Sequence, residues 1–221
     1  MNVRTARSAG ASAVIAAVLL LVTVFASGQP PAAKDPIAKI TKYLVDHRGG
    51  LLLSNLLGLL VIPLAVWFFC VVRDAVSGDP ATNALGTAAV AGVVLAGAMA
   101  LAGGAVGSSA IYLKGGAGKL AVGDDSVRLM WEMQNLLFAS TSVGILLATG
   151  ATAWAARRTR VLPPVTVWVG ILAVVGNLVT MFSVLDAKAA SLGFFGVLTF
   201  VLFLLVTGVA MLAGANRSAA A

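Results

Sequence analysis

The sequence predicts an all-α integral membrane protein, a bundle of six transmembrane helices. Of its 221 residues, 60% are apolar and 10% are charged, whereas a soluble domain is about one quarter charged. Such a chain has too few polar side chains to cover a surface in water. A span needs about 20 apolar residues, and the predicted spans are 9–26, 51–72, 87–113, 133–156, 161–182 and 192–213. Together they form one transmembrane domain over residues 1–221.

The first span has two interpretations. It follows Arg4 and Arg7, and its apolar core is short enough for a signal peptide cleaved after Ala26. The other five spans contain no Asp, Glu, Lys, Arg or His. We expect an uncleaved first helix, which gives six spans.

Loop charges favour a plasma-membrane topology with both termini in the cytoplasm. In this topology the cytoplasmic side carries seven arginines and two aspartates, and the outer side carries eight basic and six acidic residues. The number of basic residues alone does not decide the orientation, although the net charge is +5 on the cytoplasmic side and +2 on the outer side. The compact turn Arg157-Arg158-x-Arg160 between two spans favours the cytoplasmic assignment, because short cytoplasmic loops are usually basic. The net charge of +7 indicates contact with membrane lipids, and no nucleic acid is expected as a partner.

The first outer loop is predicted to contain a short amphipathic helix at the membrane interface, at about 36–48. Asp35 as N-cap and Pro36 as first helical residue are a typical helix start. The predicted apolar face consists of Ile37, Ile40 or Thr41, Leu44 and Val45.

An internal repeat with a shift of 80 residues predicts two tandem helical hairpins. Its matches pair Lys34 with Lys114, Lys39 with Lys119, Arg48 with Arg128, and Asn55-Leu56-Leu57 with Asn135-Leu136-Leu137. Binding sites are often found where such repeats meet. The repeat therefore directs attention to the outer ends of the second and fourth spans.

A polar ligand site is predicted at these two helix ends. Its candidate ligand-binding residues are Arg48, Asn55, Arg128, Glu132 and Asn135. Arg128 and Glu132 are four residues apart, so they share one helix face and can pair. The alternative is that the charged side chains of this set reach the lipid headgroups, while the side-chain amides of its two asparagines form hydrogen bonds between neighbouring helices.

Three residues are predicted to serve helix packing. Gly103 and Gly107 form a pair of small residues one turn apart, which makes the third span a central or dimer-forming helix. Asn177 lies deep in the fifth span, where a polar side chain needs a partner on another helix. Tryptophans near span ends are typical of interfacial anchors, and these are Trp67, Trp131, Trp154 and Trp168.

The composition excludes several chemistries. One His and one Cys, His47 and Cys70, are too few for a zinc site, a bis-His haem or a disulfide. The spans also lack the carboxylates that an intramembrane aspartyl protease needs. We therefore expect no metal, no cofactor and no enzymatic activity.

The residues favour a non-enzymatic membrane component that binds a lipid, a small ligand or a partner protein, as a homo-oligomer or in a larger complex. The alternative is a small facilitative transporter or lipid-handling protein without a buried ionisable residue. A transporter should show a polar stripe across several helices. In the sequence, polarity concentrates at the outer helix ends, which favours binding.

Three segments of the stretch 127–174 form a distinctive pattern: the helix opening VRLMWEMQNLLF at 127–138, the turn RVLPP at 160–164 and the segment WVGIL at 168–172. With these residues the stretch resembles uncharacterised multi-pass membrane proteins of actinobacteria. The resemblance implies a bacterial plasma-membrane protein of unassigned function. It supplies no catalytic residues.

Overall fold

A computed structural model of the chain describes residues 2–32, 34–114, 123–183 and 194–220. These residues form seven α-helices and no β-strand. All helices except the second are long and apolar enough to cross a membrane, which confirms the prediction of an all-α bundle with six transmembrane helices. The helices are α1 (Val3–Ser27), α2 (Ile37–Asp46), α3 (Arg48–Val76), α4 (Pro80–Lys114), α5 (Asp124–Thr159), α6 (Pro164–Ser183) and α7 (Phe194–Ala220).

Helices α1, α3, α4 and α5 extend beyond both ends of their predicted spans, whereas α6 begins three residues later than predicted, at Pro164. The largest difference is in α5, which begins at Asp124 instead of residue 133. Its first turn carries Asp124 and Asp125, and negative charges stabilise a helix N-terminus. Hydropathy detects only the part of a helix that matches the membrane core, so it misses polar turns of this kind.

The six spanning helices form a closed ring. α1 packs between α3 and α7, α4 between α3 and α5, and α6 between α5 and α7. Each helix therefore lies beside its neighbours in sequence, and the first and last spans close the ring. Successive spans run in opposite directions. One end of the ring carries both chain termini and is called the termini end here, and the other carries α2 and is called the α2 end.

Glycines set the closest approaches between neighbouring helices. At the α4–α5 contact, a Cβ on Gly92 would lie 2.6 Å from the carbonyl oxygen of Gly144 and 2.7 Å from the backbone nitrogen of Ala148. At the α1–α7 contact, a Cβ on Gly10 would lie 2.8 Å from the carbonyl oxygen of Gly208. Small residues allow this proximity between membrane helices. At both crossings, backbone packs directly on backbone.

Aromatic side chains fill the centre of the ring. Phe68 and Phe69 of α3 and Phe203 of α7 are fully buried, and the rings of Phe69 and Phe203 are stacked with centroids 6.1 Å apart. Because α3 and α7 are not neighbours in the ring, these side chains meet across its interior. At this level the bundle has a packed core.

The outer surface of the ring is apolar. Large hydrophobic side chains are exposed on all six spanning helices, among them Ile15, Leu56, Leu101, Leu136, Val175 and Leu202. A surface of this kind is stable against lipid acyl chains and not against water. The surface and the six apolar helices together are those of a multi-pass membrane protein.

The structure of α2 differs from the sequence-based prediction in three details. Pro36, and not Asp35, is the N-cap residue, and the helix covers Ile37–Asp46 instead of 36–48. The assignment of Val45 to the apolar face is wrong, because Val45 is 47% exposed while Tyr43 is 6% exposed. The buried face is turned toward α3, α4 and α5, so α2 rests on protein.

Candidate functional site

The α2 end is closed by a small hydrophobic cluster separate from the main core. α2 contributes Ile40, Tyr43 and Leu44, and the ends of the spanning helices contribute Leu51, Ala110, Ile111, Val127 and Trp131. All of these side chains are buried. Burial of this apolar face fixes α2 across the ends of α3, α4 and α5.

Tyr43 joins α2 to three other parts of the chain. Its hydroxyl donates a hydrogen bond to the carbonyl oxygen of Ser27, at 2.5 Å. Its ring is stacked on His47, with centroids 4.8 Å apart, and meets the edge of Trp131 at 5.7 Å. Burial raises the pKa of Tyr43, so its hydroxyl stays protonated and remains a donor at neutral pH.

Arg128 links the start of α5 to the loop that precedes α2. Its Nη2 donates to the backbone oxygen of Asp35 at 2.9 Å, and its Nη1 lies 3.7 Å from Glu132. The carboxylate of Asp35 also accepts a hydrogen bond from Lys39, at 2.8 Å, and this contact holds the pKa of Asp35 below its ordinary value. The structure thus brings Arg128 and Glu132 together, as their spacing predicts, in a partly exposed network of alternating charge.

Arg48 and Asn55 lie on the α3–α4 side of this end. The guanidinium carbon of Arg48 is 5.9 Å from the centre of the Tyr112 ring, a cation–π distance. The side-chain nitrogen of Asn55 donates to the hydroxyl of Ser108 at 2.8 Å and to the carbonyl oxygen of Gly104 at 3.4 Å. Asn55 therefore joins α3 to α4, as the helix-joining alternative anticipated.

Asn135 stands in a different environment from Asn55. It is exposed on α5, beside the exposed Leu136, whereas Asn55 is half-buried between two helices. The two positions that the 80-residue repeat equates are therefore not equivalent in their contacts. Lys119, a further position of the repeat, lies outside the described residues.

Sequence reasoning missed the polar atoms beneath α2. Trp131 is 3% exposed, so its assignment as an interfacial anchor is wrong. Its indole nitrogen and the side-chain oxygen of Gln134 are buried without a hydrogen-bond partner among the described residues. Gln134 packs against Gly107 of α4. The sequence contained one signal for the position of Trp131. Trp131 follows Arg128 by three residues, so the two side chains lie on adjacent turns of α5.

The three predicted packing residues all lie at contacts within the chain. Gly103 faces Leu137 of α5, since a Cβ there would lie 3.3 Å from the Cβ of Leu137, and Gly107 faces Gln134 of the same helix. Asn177 donates to the carbonyl oxygen of Gly196 on α7, at 3.3 Å. These contacts close the α4–α5 and α6–α7 sides of the ring.

The fold defines the class to which the chain belongs, the multi-pass helical membrane proteins. Among the described residues, no group of three or more His, Cys, Asp and Glu side chains is placed to hold a metal ion. Comparison with protein-family models, with curated proteins and with solved structures finds no match.

Proposed function

We propose that this chain is a non-enzymatic component of a bacterial plasma membrane that binds anionic lipid headgroups at its α2 end. The observation that carries the proposal is the fixed position of two arginines beside α2. Arg48 precedes the buried Leu51 by one turn, and Arg128 precedes the buried Trp131 by one turn. The same hydrophobic cluster therefore holds both arginines at the edge of the bundle.

Neighbouring groups restrict the orientation of the two guanidinium groups. Arg128 is held by the backbone oxygen of Asp35, and Arg48 lies over the ring of Tyr112. A guanidinium presents a planar set of donors that matches a phosphate. Preorganised donors lose less side-chain entropy on binding than freely rotating ones.

Further charges on α2 support an anionic ligand. Lys39 and Lys42 are exposed on the face of α2 that points away from the bundle. A basic side chain near a lipid surface contributes about 1 kcal/mol to the attraction of anionic lipids. Glu132 lies within the same region and adds a site for the amine of a mixed-charge headgroup.

The proposal includes the topology with both termini in the cytoplasm. The basic residues of the termini end whose side chains are described are all arginines, namely Arg4, Arg7, Arg73, Arg157, Arg158 and Arg160. Arg157, Arg158 and Arg160 form a compact basic turn between two spans, which is typical of a cytoplasmic loop. The α2 end then meets the outer leaflet.

Native mass spectrometry with short-chain phosphatidylglycerol tests the proposal. The double variant Arg48→Gln, Arg128→Gln should bind this lipid about thirty-fold more weakly, because two basic residues at about 1 kcal/mol each correspond to this factor. The control is Arg4→Gln, Arg157→Gln, which removes the same charge from the termini end. Equal losses in both double variants would mean that net charge, and not the α2 end, governs binding. The same spectra report the copy number and any co-purified subunit.

One observation favours the second function, passage of a small neutral solute. Buried polar side chains occur on α5, α6 and α7, including Thr149, Asn177, Thr180 and Thr199. They are buried, whereas the predicted ligand-binding residues at the α2 end are half-buried or exposed. No charged side chain is buried in the part of the chain that the structure describes, so such a solute would be uncharged.

A further inference from the structure

Three threonines of the bundle interior have hydroxyl groups without a hydrogen-bond partner among the residues that the structure describes. Thr152 of α5, Thr166 of α6 and Thr207 of α7 are at most 1% exposed, and none of their Oγ1 atoms bonds to a described residue. A helical threonine can usually donate to a carbonyl of its own preceding turn. Thr149, equally buried, does so to Ile145 at 2.8 Å. The three hydroxyls are therefore exceptional within their own environment.

The α5–α6 contact places two of these threonines at similar depth. A Cβ on Gly170 of α6 would lie 2.7 Å from the Cβ of Ala153 of α5, so these two residues are level. Thr152 is one residue from this level toward the α2 end, and Thr166 is four residues from it toward the termini end. At 1.5 Å per residue, their backbones are about 8 Å apart along the bundle axis.

The α6–α7 contact places the third threonine between the other two. A Cβ on Gly176 of α6 would lie 2.8 Å from a side-chain carbon of Thr199 of α7. Thr207 is eight residues from that level toward the termini end. The position on α6 that is level with Thr207 lies between the levels of Thr166 and Thr152. Three adjacent helices thus present unpaired hydroxyls within one narrow slice of the bundle.

The polar region continues along α6. Asn177 lies on the same buried face as Thr166, three helical turns away and about 16 Å along the axis. Its side-chain nitrogen donates to the carbonyl oxygens of Ala173 and Gly196, while its side-chain oxygen is buried without a partner in the described chain. A second hydrogen-bonding position is thereby available toward the α2 end.

We propose that α5, α6 and α7 enclose a binding site for water, in which bound water bridges the hydroxyls of Thr152, Thr166 and Thr207. A hydroxyl left unpaired in an apolar interior is costly. Buried waters commonly satisfy such groups through two to four hydrogen bonds each. A hydroxyl both donates and accepts, which matches water, whereas an ion would find no buried counter-charge among the described residues. This site lies apart from the α2 end and does not depend on lipid binding.

Substitution by valine tests this site because valine has the shape of threonine without its hydroxyl. In a hydrated site, Thr152→Val, Thr166→Val and Thr207→Val each remove hydrogen bonds to water, so each should lower the melting temperature of the purified protein. In a dry site, the same changes remove an unpaired polar group and should leave the melting temperature unchanged or raise it. The control is Thr149→Val, which should change the melting temperature less than the three test variants.

Unchanged or higher melting temperatures for all three test variants would overturn the proposal. A density map of the full chain at a resolution that shows ordered water provides a second measurement, which does not require any variant to fold. It should show water within hydrogen-bond distance of at least two of the three Oγ1 atoms. An interior without such density would also refute the site.

Discussion

Adding one methyl group at the α4–α5 crossing should destabilise the bundle. In Gly92→Ala the new Cβ would lie 2.6 Å from the carbonyl oxygen of Gly144 and 2.7 Å from the backbone nitrogen of Ala148, whereas ordinary contacts begin at 3.4 Å. Both opposing atoms belong to the backbone, so no side-chain rotation relieves the clash. The two helices must separate locally by about 0.8 Å.

The size of the effect follows from comparison with a second glycine. Overpacking costs about 1–3 kcal/mol, and the rigid backbone contacts at Gly92 favour the upper half of that range. Alanine also has a helix propensity about 1 kcal/mol better than glycine. Gly58→Ala provides the same gain without a clash, because a Cβ on Gly58 meets no atom within 4 Å. The two variants should therefore differ by about 2–3 kcal/mol in unfolding free energy.

Thermal unfolding of the two variants in the same detergent measures this difference. For a chain of this size, 1 kcal/mol corresponds to about 2–4 °C, so Gly92→Ala should melt about 4–12 °C below Gly58→Ala. A Gly92→Ala protein that melts at or above Gly58→Ala would show that α4 and α5 do not cross at this glycine, and the ring arrangement would lose one of its close backbone contacts.

Three further predictions concern single polar groups. Tyr43→Phe removes the hydrogen bond to Ser27 and should cost about 1 kcal/mol, measured by chemical unfolding; an unchanged stability would mean that α2 is held by its apolar face alone. Backbone hydrogen bonds from Thr82 and Ala81 hold the pKa of Asp79 below 3.8. Wild type should therefore melt at a higher temperature than Asp79→Asn above pH 3.8, and this difference should decrease as the pH falls through the pKa of Asp79 in the folded protein. A difference in melting temperature that does not depend on pH would contradict this. Asn177→Leu removes the link to α7 and overfills its contact, so it should lower the melting temperature by several degrees, and a rise would refute that role.

The number and type of the helices could be read from the sequence for a physical reason. A run of about 20 apolar residues in hydrocarbon must satisfy all its backbone groups internally, and a helix does so. The same argument fails at helix ends in water, which explains why α5 begins nearer the chain's N-terminus than predicted. Spacing also predicted the pairing of Arg128 with Glu132, because a separation of four residues fixes their relative position on any helix.

The inward face of each spanning helix could not be read in the same way. Most residues of these helices are apolar, so hydrophobicity distinguishes poorly between a lipid-facing and a protein-facing position. Trp131 therefore resembled an anchor and is buried, and Asn135 resembled Asn55 and is exposed. The direction of each side chain depends on which neighbour its helix contacts.

The sequence by itself determined that this is a helical membrane protein with six spans and a short amphipathic helix. These features depend only on the pattern of apolar residues along each segment and on the need of its backbone groups to form hydrogen bonds within that segment. Only the tertiary structure decided the closed ring, the position of α2 on α3, α4 and α5, and the burial of Thr152, Thr166 and Thr207 on three helices adjacent in the ring. These features join residues far apart in the chain, and they depend on the register at which glycine contacts allow neighbouring backbones to meet.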